Sequence, residues 1–245
     1  MKVVLITGGT SGIGEALARR AANADWQVAF TYRNAQDKAQ KIVQELGSDK
    51  VQAFHLELNN PETISACVAA VAKEYGCLDA LVLSASPGPI LNPLWKQSSD
   101  DFLGQFRVNV IGNHHLMADC WKSFFKKQNR GHIVALLSSA LGPPPLGHMS
   151  SYVIAKRSLE LLLEYALVEY GKSGLRASAI VPTFTETPML AGLNSHFVEM
   201  ARMKNPSHQF LKPEQVAECI FQCLENPPAT PTLSLRPVPL PAPAL

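Results

Sequence analysis

The sequence contains little charge and has no long apolar run. Aspartate, glutamate, lysine and arginine together make up 17% of the 245 residues, below the roughly 25% of an average protein. The 22 basic and 20 acidic side chains leave a formal net charge of +2, which gives no basic surface for nucleic acid. No uninterrupted apolar stretch approaches the roughly 18 residues of a membrane span. We therefore expect neither nucleic acid nor a membrane as a partner.

The sequence also lacks an even set of cysteines and a secretion signal. The five cysteines are scattered through apolar segments, at Cys67, Cys77, Cys120, Cys219 and Cys223. That usage is typical of reduced thiols in the cytosol. The chain runs from Met1 directly into a strand-like segment, without a small-residue cleavage site. We expect a cytoplasmic protein.

Because no histidine or carboxylate cluster accompanies the cysteines, we also expect no metal site.

β-branched apolar runs alternate with longer helical stretches along the chain. Strand-like runs include Lys2–Thr7, Gln27–Tyr32 and Val51–Leu58, and one long helical stretch covers about 100 to 127. Strands and helices that alternate with short links form right-handed βαβ units. The pattern therefore predicts a single α/β domain over residues 1–245, with a doubly wound parallel sheet of about seven strands and helices on both faces.

Two segments depart from this alternation. Residues 227–245 hold seven of the 18 prolines, and such a stretch cannot be helical and pairs poorly as a strand. We expect a last strand over Thr232–Val238, and a tail after Pro239 that is extended against the body or loose. Residues 186–212 carry Leu190, Phe197 and other apolar side chains. They predict a mobile lid over an apolar site.

A glycine-rich turn lies where the first strand ends and the first helix begins. Glycine lets the backbone approach a phosphate without an intervening Cβ, and the helix directs its free N–H groups at the anion. The alternative is a tight loop without a ligand, but the position after the first strand favours a dinucleotide. The predicted phosphate-binding residues are Gly8, Thr10, Ser11, Gly12, Ile13 and Gly14.

The end of the second strand indicates which dinucleotide is used. Binders of NAD usually have an acid there that accepts from the ribose hydroxyls, whereas this chain has Tyr32 and Arg33. A guanidinium can form a fork of hydrogen bonds onto a 2′-phosphate. We therefore predict NADP(H) rather than NAD(H) as the cofactor. The alternative is that Arg33 is simply a solvated cation.

Tyr152 and Lys156 are four residues apart in a helical segment, so both side chains project from one face. A tyrosine phenol has a pKa near 10, and a nearby cation lowers it. Lys156 could therefore tune the phenol and also bind the cofactor ribose. Ser139 ends the fifth strand, where it could hold a carbonyl oxygen beside the phenol. A chance Tyr-x-x-x-Lys pair is the alternative, and the upstream serine and glycine turn argue against it.

Taken together, these motifs resemble the classical short-chain dehydrogenase/reductase family over nearly the full length. The turn Thr7-Gly8-Gly9-Thr10-Ser11-Gly12-Ile13-Gly14 matches that family's Thr-Gly-x-x-x-Gly-Ile-Gly pattern. The resemblance implies a Rossmann fold and a catalytic set of Ser139, Tyr152 and Lys156. It also implies that Asn109 joins a proton relay through water to Lys156.

The same resemblance implies further cofactor contacts. They are Glu57 and Leu58 near the adenine, Ser84 and Ala85 after the fourth strand, and Pro182, Thr185 and Thr187 near the nicotinamide, with Tyr152 and Lys156 completing the set. Ser84-Ala85-Ser86 and Pro182-Thr183 depart from the family's usual Asn-Asn/Ala-Ala-Gly and Pro-Gly.

The expected activity is NADPH-dependent reduction of a ketone, with the tyrosine as acid. The resemblance favours a 3-oxoacyl thioester, and a polyketide or another apolar ketone is an alternative. A non-catalytic NADP-binding regulator or assembly partner and an alcohol-oxidising dehydrogenase also remain open. The helix that carries Tyr152 has more apolar residues than one buried stripe requires. It predicts a homodimer or homotetramer.

Overall fold

A seven-stranded parallel sheet forms the centre of the molecule. The structure is a computed structural model that describes residues 1–204 and 208–238, and the strand count refers to those residues. The strands are β1 Val3–Ile6, β2 Gln27–Tyr32, β3 Val51–His55, β4 Ala80–Leu83, β5 Gly131–Leu136, β6 Leu175–Val181 and β7 Ser234–Pro237. Their order is β3-β2-β1-β4-β5-β6-β7, and every neighbouring pair is parallel.

Helices cover both faces of this sheet. They are α1 Gly12–Ala22, α2 Gln36–Leu46, α3 Pro61–Tyr75, α4 Ser99–Phe106, α5 Asn113–Cys120, α6 Lys126–Gln128, α7 Ser150–Tyr170, α8 Pro188–Ala191, α9 Ser195–Lys204 and α10 Pro213–Glu225. One face packs against α3, α5 and α7, and the other against α1, α2 and α10. The predicted doubly wound α/β fold is confirmed.

Burial on both faces explains why the central strands were readable as continuous apolar runs. All residues of β1, β4 and β5 are buried. The prediction was wrong at the third strand, which ends at His55 rather than Leu58. The chain turns there, because Asn60 N–H donates to the Glu57 carbonyl and the Asn60 side chain caps α3 by accepting from Glu62 N at 2.9 Å.

The long stretch predicted as one helix follows one continuous helical path over 99–128, but it contains two π-helical segments, Arg107–Gly112 and Trp121–Phe125. At the first of them the helix passes very close to the turn after β3. A Cβ on Gly112 would lie 2.0 Å from the carbonyl oxygen of Leu58. This π-helical segment carries Asn109, so an irregular turn sets the position of that side chain.

The predicted seventh strand forms as β7, which pairs with β6 at the edge of the sheet. The predicted tail after Pro239 lies outside the described residues. Within 1–204 and 208–238, no helix is both long enough and apolar enough to cross a membrane.

Candidate active site

A large crevice opens at the carboxyl ends of the strands, where the strand order changes direction between β1 and β4. This is the position at which open α/β sheets bind ligands. The crevice has a volume of about 1020 Å³. The glycine turn lines one part of it, and Tyr152 and Lys156 line another. The tertiary structure therefore brings the two main sequence motifs into one cavity.

Thr7 and Thr31 hold the glycine turn in place. The backbone N–H groups of Ser84 and Ala85 donate to Thr7 Oγ1 at 2.9 and 3.0 Å. On the other side, Gly8 N donates to Thr31 Oγ1 at 3.1 Å. The turn is therefore tied to the ends of both β4 and β2. Sequence reasoning did not assign this role to either threonine.

The glycines are required by the shape of the turn. Gly8 and Gly12 have φ angles of +72° and +53°, a region that favours glycine. A Cβ on Gly14 would lie 2.3 Å from the Gly8 carbonyl oxygen. The side chain of Ser11 does not cap α1, so it leaves the helix N-terminus available to an anion. These residues fit the diphosphate of a dinucleotide.

Four residues expected to contact the adenosine also line the crevice. They are Tyr32, Arg33, Glu57 and Leu58. Arg33 is exposed and, within the described part of the chain, makes no salt bridge. Its guanidinium is therefore available for a phosphate at the rim.

The phenol of Tyr152 is buried at the wall of the crevice. Burial raises its pKa to about 12, and a hydrogen bond with the Ser138 side chain acts in the lowering direction. The expected lowering of this pKa by Lys156 is therefore wrong for this structure. The cost of removing the phenolate from water is larger than the stabilisation that its neighbours give it.

Lys156 is buried beside that tyrosine. Its Nζ lies 5.9 Å from the centre of the Tyr152 ring and donates a hydrogen bond of 2.8 Å to the Leu136 carbonyl. Burial lowers the pKa of Lys156 to about 7.

Two neighbouring serines follow β5, and both line the crevice. Ser139 is exposed, and its backbone N–H donates to the Pro182 carbonyl at 3.0 Å. The Ser138 side chain acts on the pKa of the Tyr152 phenol in the lowering direction, and its Oγ accepts from Ala140 N at 3.1 Å. Sequence reasoning assigned Ser139 but not Ser138.

Asn109 is the centre of a buried polar chain. Its Oδ1 accepts from Ser86 Oγ at 2.8 Å, and its Nδ2 donates to Gln105 Oε1 at 2.9 Å. Gln105 Nε2 then donates to the Gly88 carbonyl at 2.8 Å. The Asn109 carbonyl accepts from Asn113 Nδ2 at 3.1 Å. This row of hydrogen bonds holds the loop after β4 in place, and Ser86 contributes one of the bonds.

The remaining predicted contacts, Ser84, Ala85, Pro182, Thr185 and Thr187, also line the crevice. Its catalytic end is largely apolar, with Pro144, Pro145, Leu146, Met149, Met189, Leu190 and Leu193 in the lining. Among the described residues, no group of three potential metal ligands comes together.

Part of the predicted lid, 186–204 and 208–212, is described; 205–207 lie outside the described residues. Its two ends meet at a bridge between Thr185 and Leu211, and the Glu186 N–H donates to the Leu211 carbonyl at 2.9 Å. Phe197 of α9 packs against the buried cluster that contains Met149 and Tyr152. The lid segment therefore reaches the wall that holds the phenol.

A model of a protein family, described as enoyl-(acyl carrier protein) reductase, matches residues 8–226. The chain belongs to this family of short-chain dehydrogenases/reductases. This confirms the resemblance noted in the sequence. Relatives of this short-chain dehydrogenase/reductase are named dehydrogenases and reductases, which supports an oxidoreductase acting on CH–OH or C=O groups.

One curated relative of this family member is cis-4-hydroxycyclohexanecarboxylate dehydrogenase from Sinomonas cyclohexanicum. It is 27% identical over 222 residues, which are 89% of this chain and 87% of the relative. A solved structure of 3-ketoacyl-(acyl-carrier-protein) reductase from Brucella melitensis, complexed with NADH, has a TM-score of 0.86 at 24% identity and covers 96% of each chain.

A variant of actinorhodin polyketide ketoreductase, solved with NADPH, has a TM-score of 0.83 at 21% identity. The match covers 97% of this chain and 96% of that chain. At these levels of identity the two solved structures establish the fold.

Proposed function

We propose that this protein reduces a ketone to a secondary alcohol with NADPH as the cofactor. The observation that carries the proposal is that Tyr152 lines the same crevice as the glycine turn. A pKa near 12 keeps the phenol protonated at neutral pH. A protonated phenol suits an acid that protonates a carbonyl oxygen. The reverse reaction, oxidation of an alcohol, would use the same residue as a base.

Each residue of the site has a separate task in this proposal. When bound, NADPH supplies the hydride. Tyr152 holds the proton at its Oη and donates it to the substrate oxygen, while Ser138 orients the phenol and the exposed Ser139 hydroxyl binds the substrate carbonyl. Lys156 binds the ribose of the cofactor. Asn109 and its buried partners hold the loop after β4 against the substrate.

The preference for NADP(H) rests on the rim of the adenosine end. Arg33 is an exposed cation in the crevice lining, and a guanidinium binds phosphate oxygens in a bidentate manner. The solved relatives carry either cofactor: NADH in the reductase from Brucella and NADPH in the polyketide ketoreductase. The choice is therefore made by residues of this chain, and Arg33 is the residue that supports NADP(H).

The apolar catalytic end supports a mostly apolar ketone. Met149, Leu190 and Leu193 line it together with Pro144 and Pro145. A 3-oxoacyl thioester is our first choice, because a structural neighbour is a 3-ketoacyl reductase. A polyketide ketone is the second choice, and the polyketide ketoreductase supports it. We also propose that the protein acts in the cytoplasm as a homodimer or homotetramer.

The direct test is an activity assay in which the loss of NADPH absorbance measures its oxidation. The candidate substrates are 3-oxoacyl thioesters, polyketide-like ketones and cyclic ketones. Tyr152→Phe should lose about 10² to 10⁴-fold in turnover, with NADPH affinity within about threefold of the wild type because Lys156 and the glycine turn remain. Tyr165→Phe is the matched control, since Tyr165 is on the same helix but 61% exposed. Near-normal turnover by Tyr152→Phe would contradict the mechanism.

A further inference from the structure

The helix that carries Tyr152 begins without a cap of its own. Tyr152 is the third residue of α7, and the side chain of Met149 at its N-cap position makes no capping hydrogen bond. The first N–H groups of a helix have no partner within the helix and must bind elsewhere. The position of the phenol therefore depends on whatever holds this first turn.

Gln97, which is 54 residues away in the sequence, supplies the missing acceptor. Its Oε1 accepts a hydrogen bond of 2.9 Å from the backbone N–H of Ser151, the residue next to Tyr152. Ser151 is fully buried, so losing this acceptor would leave a buried donor without a partner. Such a donor is destabilising, because it has lost its bond to water and gained none in the protein.

The other end of the same carboxamide joins two loops that border the crevice. Gln97 Nε2 donates to the Asn92 carbonyl at 3.1 Å and lies 3.4 Å from the carbonyls of His148 and Ile90. The His148 carbonyl also accepts from Asn92 N at 3.0 Å. His148 has a φ of +65°, a strained conformation that surrounding contacts must maintain.

Gln97 is itself firmly placed. It lies between the short 3₁₀ turn Leu94–Lys96 and α4, and its own backbone N–H donates to the Leu94 carbonyl at 3.3 Å. One side of the carboxamide faces an N–H group and the other faces carbonyl oxygens, which fixes its orientation. The Gln97 side chain is therefore held in one orientation and connects the helix end to the two loops.

We infer that Gln97 is a positioning residue for the proposed reaction: it caps the Tyr152 helix and locks that helix to the loops 87–92 and 144–149. The inference rests on the proposed function for its kinetic consequence. The role also differs from that of Asn109, because Gln97 acts on the helix end through the backbone of Ser151. It does not touch the reacting atoms.

The test compares Gln97→Met with Ser98→Ala. The methionine keeps the size of the side chain but removes every hydrogen bond. Ser98→Ala removes the hydroxyl that caps α4 by accepting from Asp101 N at 3.1 Å, and it removes no hydrogen bond of Gln97 or Ser151. We expect Gln97→Met to lower kcat by about 10- to 100-fold through misplacement of the phenol, with the KM for NADPH within about twofold of the wild type. Ser98→Ala should keep kcat within about twofold.

Gln97→Glu provides a pH readout that a purely structural role would not give. The carboxylate can still accept from Ser151, but its second oxygen faces the Asn92 carbonyl and repels it. As pH falls and the carboxyl takes up a proton, it regains a donor. The kcat of Gln97→Glu should therefore recover towards that of the wild type at acidic pH, whereas the kcat of Gln97→Met should not.

Amide hydrogen exchange of the peptide around 149–153 keeps this inference separate from the proposed function. Gln97→Met should exchange the Ser151 amide at least about tenfold faster than both the wild type and Ser98→Ala. Unchanged exchange and unchanged kcat in Gln97→Met would overturn the inference. An equal loss of kcat in Ser98→Ala would also overturn it. A wild type that reduces no ketone would instead overturn the proposed function, and the exchange data would still decide the role of Gln97.

Discussion

The ammonium of Lys156 lies 5.9 Å from the centre of the Tyr152 ring and donates its hydrogen bond to the Leu136 carbonyl at 2.8 Å. Both side chains are buried. Burial moves the two pKa values in opposite directions, down to about 7 for Lys156 and up to about 12 for Tyr152. Each change favours the neutral form, so desolvation dominates the electrostatics of this pair.

The lowered pKa of Lys156 predicts how stability depends on pH. In the unfolded chain this lysine titrates near 10.4, so between about pH 7 and pH 10 the unfolded state binds a proton that the folded state does not. Stability from this residue therefore rises with pH across that window, by up to about 1.4 kcal/mol per pH unit. Lys156→Met should flatten the rise.

Thermal unfolding measured at intervals from pH 6.5 to 9.5 checks this expectation. Lys41→Met is the control, because Lys41 is exposed on α2 and should leave the slope of the wild type unchanged. Equal slopes for Lys156→Met and the wild type would show that Lys156 keeps its charge in the folded protein.

Arg33 should decide the choice of cofactor. Arg33→Asp removes the cation and introduces a charge that repels a 2′-phosphate, so we expect NADPH affinity to fall at least about tenfold. NADH affinity should be preserved or improved, because an acid can accept from the ribose hydroxyls. Titration of intrinsic fluorescence with each cofactor measures both constants.

Lys41→Asp makes the same change of charge on the neighbouring helix, outside the crevice lining. It should change NADPH affinity by less than about twofold, since exposed charges at a distance are screened by salt. Should both variants weaken NADPH binding equally, general electrostatic attraction would replace a specific contact of Arg33 as the explanation.

We expect opposite outcomes when alanine replaces a glycine of the turn and a glycine of α4. Gly14→Ala would place a Cβ 2.3 Å from the Gly8 carbonyl, so we expect a lower melting temperature and at least about tenfold weaker NADPH binding. Gly104→Ala meets no atom within 4 Å and lies in α4. It should raise stability by about 0.4–1 kcal/mol, with cofactor binding intact. Tight NADPH binding by Gly14→Ala would show that the turn relaxes.

One face of α7 predicts self-association. Leu161, Tyr165 and Val168 recur at helical spacing and are exposed, with Val168 80% exposed. Large exposed apolar patches mark interaction sites. We expect light scattering to give two or four times the chain mass of 26.6 kDa, and Val168→Glu to lower that mass. Leu94→Glu, which alters an exposed leucine elsewhere, should not. A wild type of single-chain mass would refute the prediction.

The fold followed from the sequence because parallel strands buried on both faces have to be continuously apolar, and β1, β4 and β5 are. The glycine turn was equally readable, because Gly8 and Gly12 adopt positive φ angles that few other residues tolerate. The Tyr152–Lys156 pairing was readable from the helical period. Each of these features depends on residues that are close together in the chain.

Three features of the site were not readable in this way. The direction of the Tyr152 pKa depends on how much water reaches the phenol, and that is set by neighbours from several elements. The influence of Ser138 on the pKa of the Tyr152 phenol depends on how the turn after β5 packs against α7. The bond from Gln97 to Ser151 spans 54 residues, and no local pattern signals a contact of that length.

Local chemistry thus specified the element types, the sheet and the motifs that predict a dinucleotide site and a proton donor. Packing specified the burial that moves the pKa values of Tyr152 and Lys156 and the hydrogen bond between Gln97 and Ser151. The division has one cause: backbone preference and periodicity act over a few neighbouring residues, whereas desolvation and long-range hydrogen bonds exist once distant segments have met.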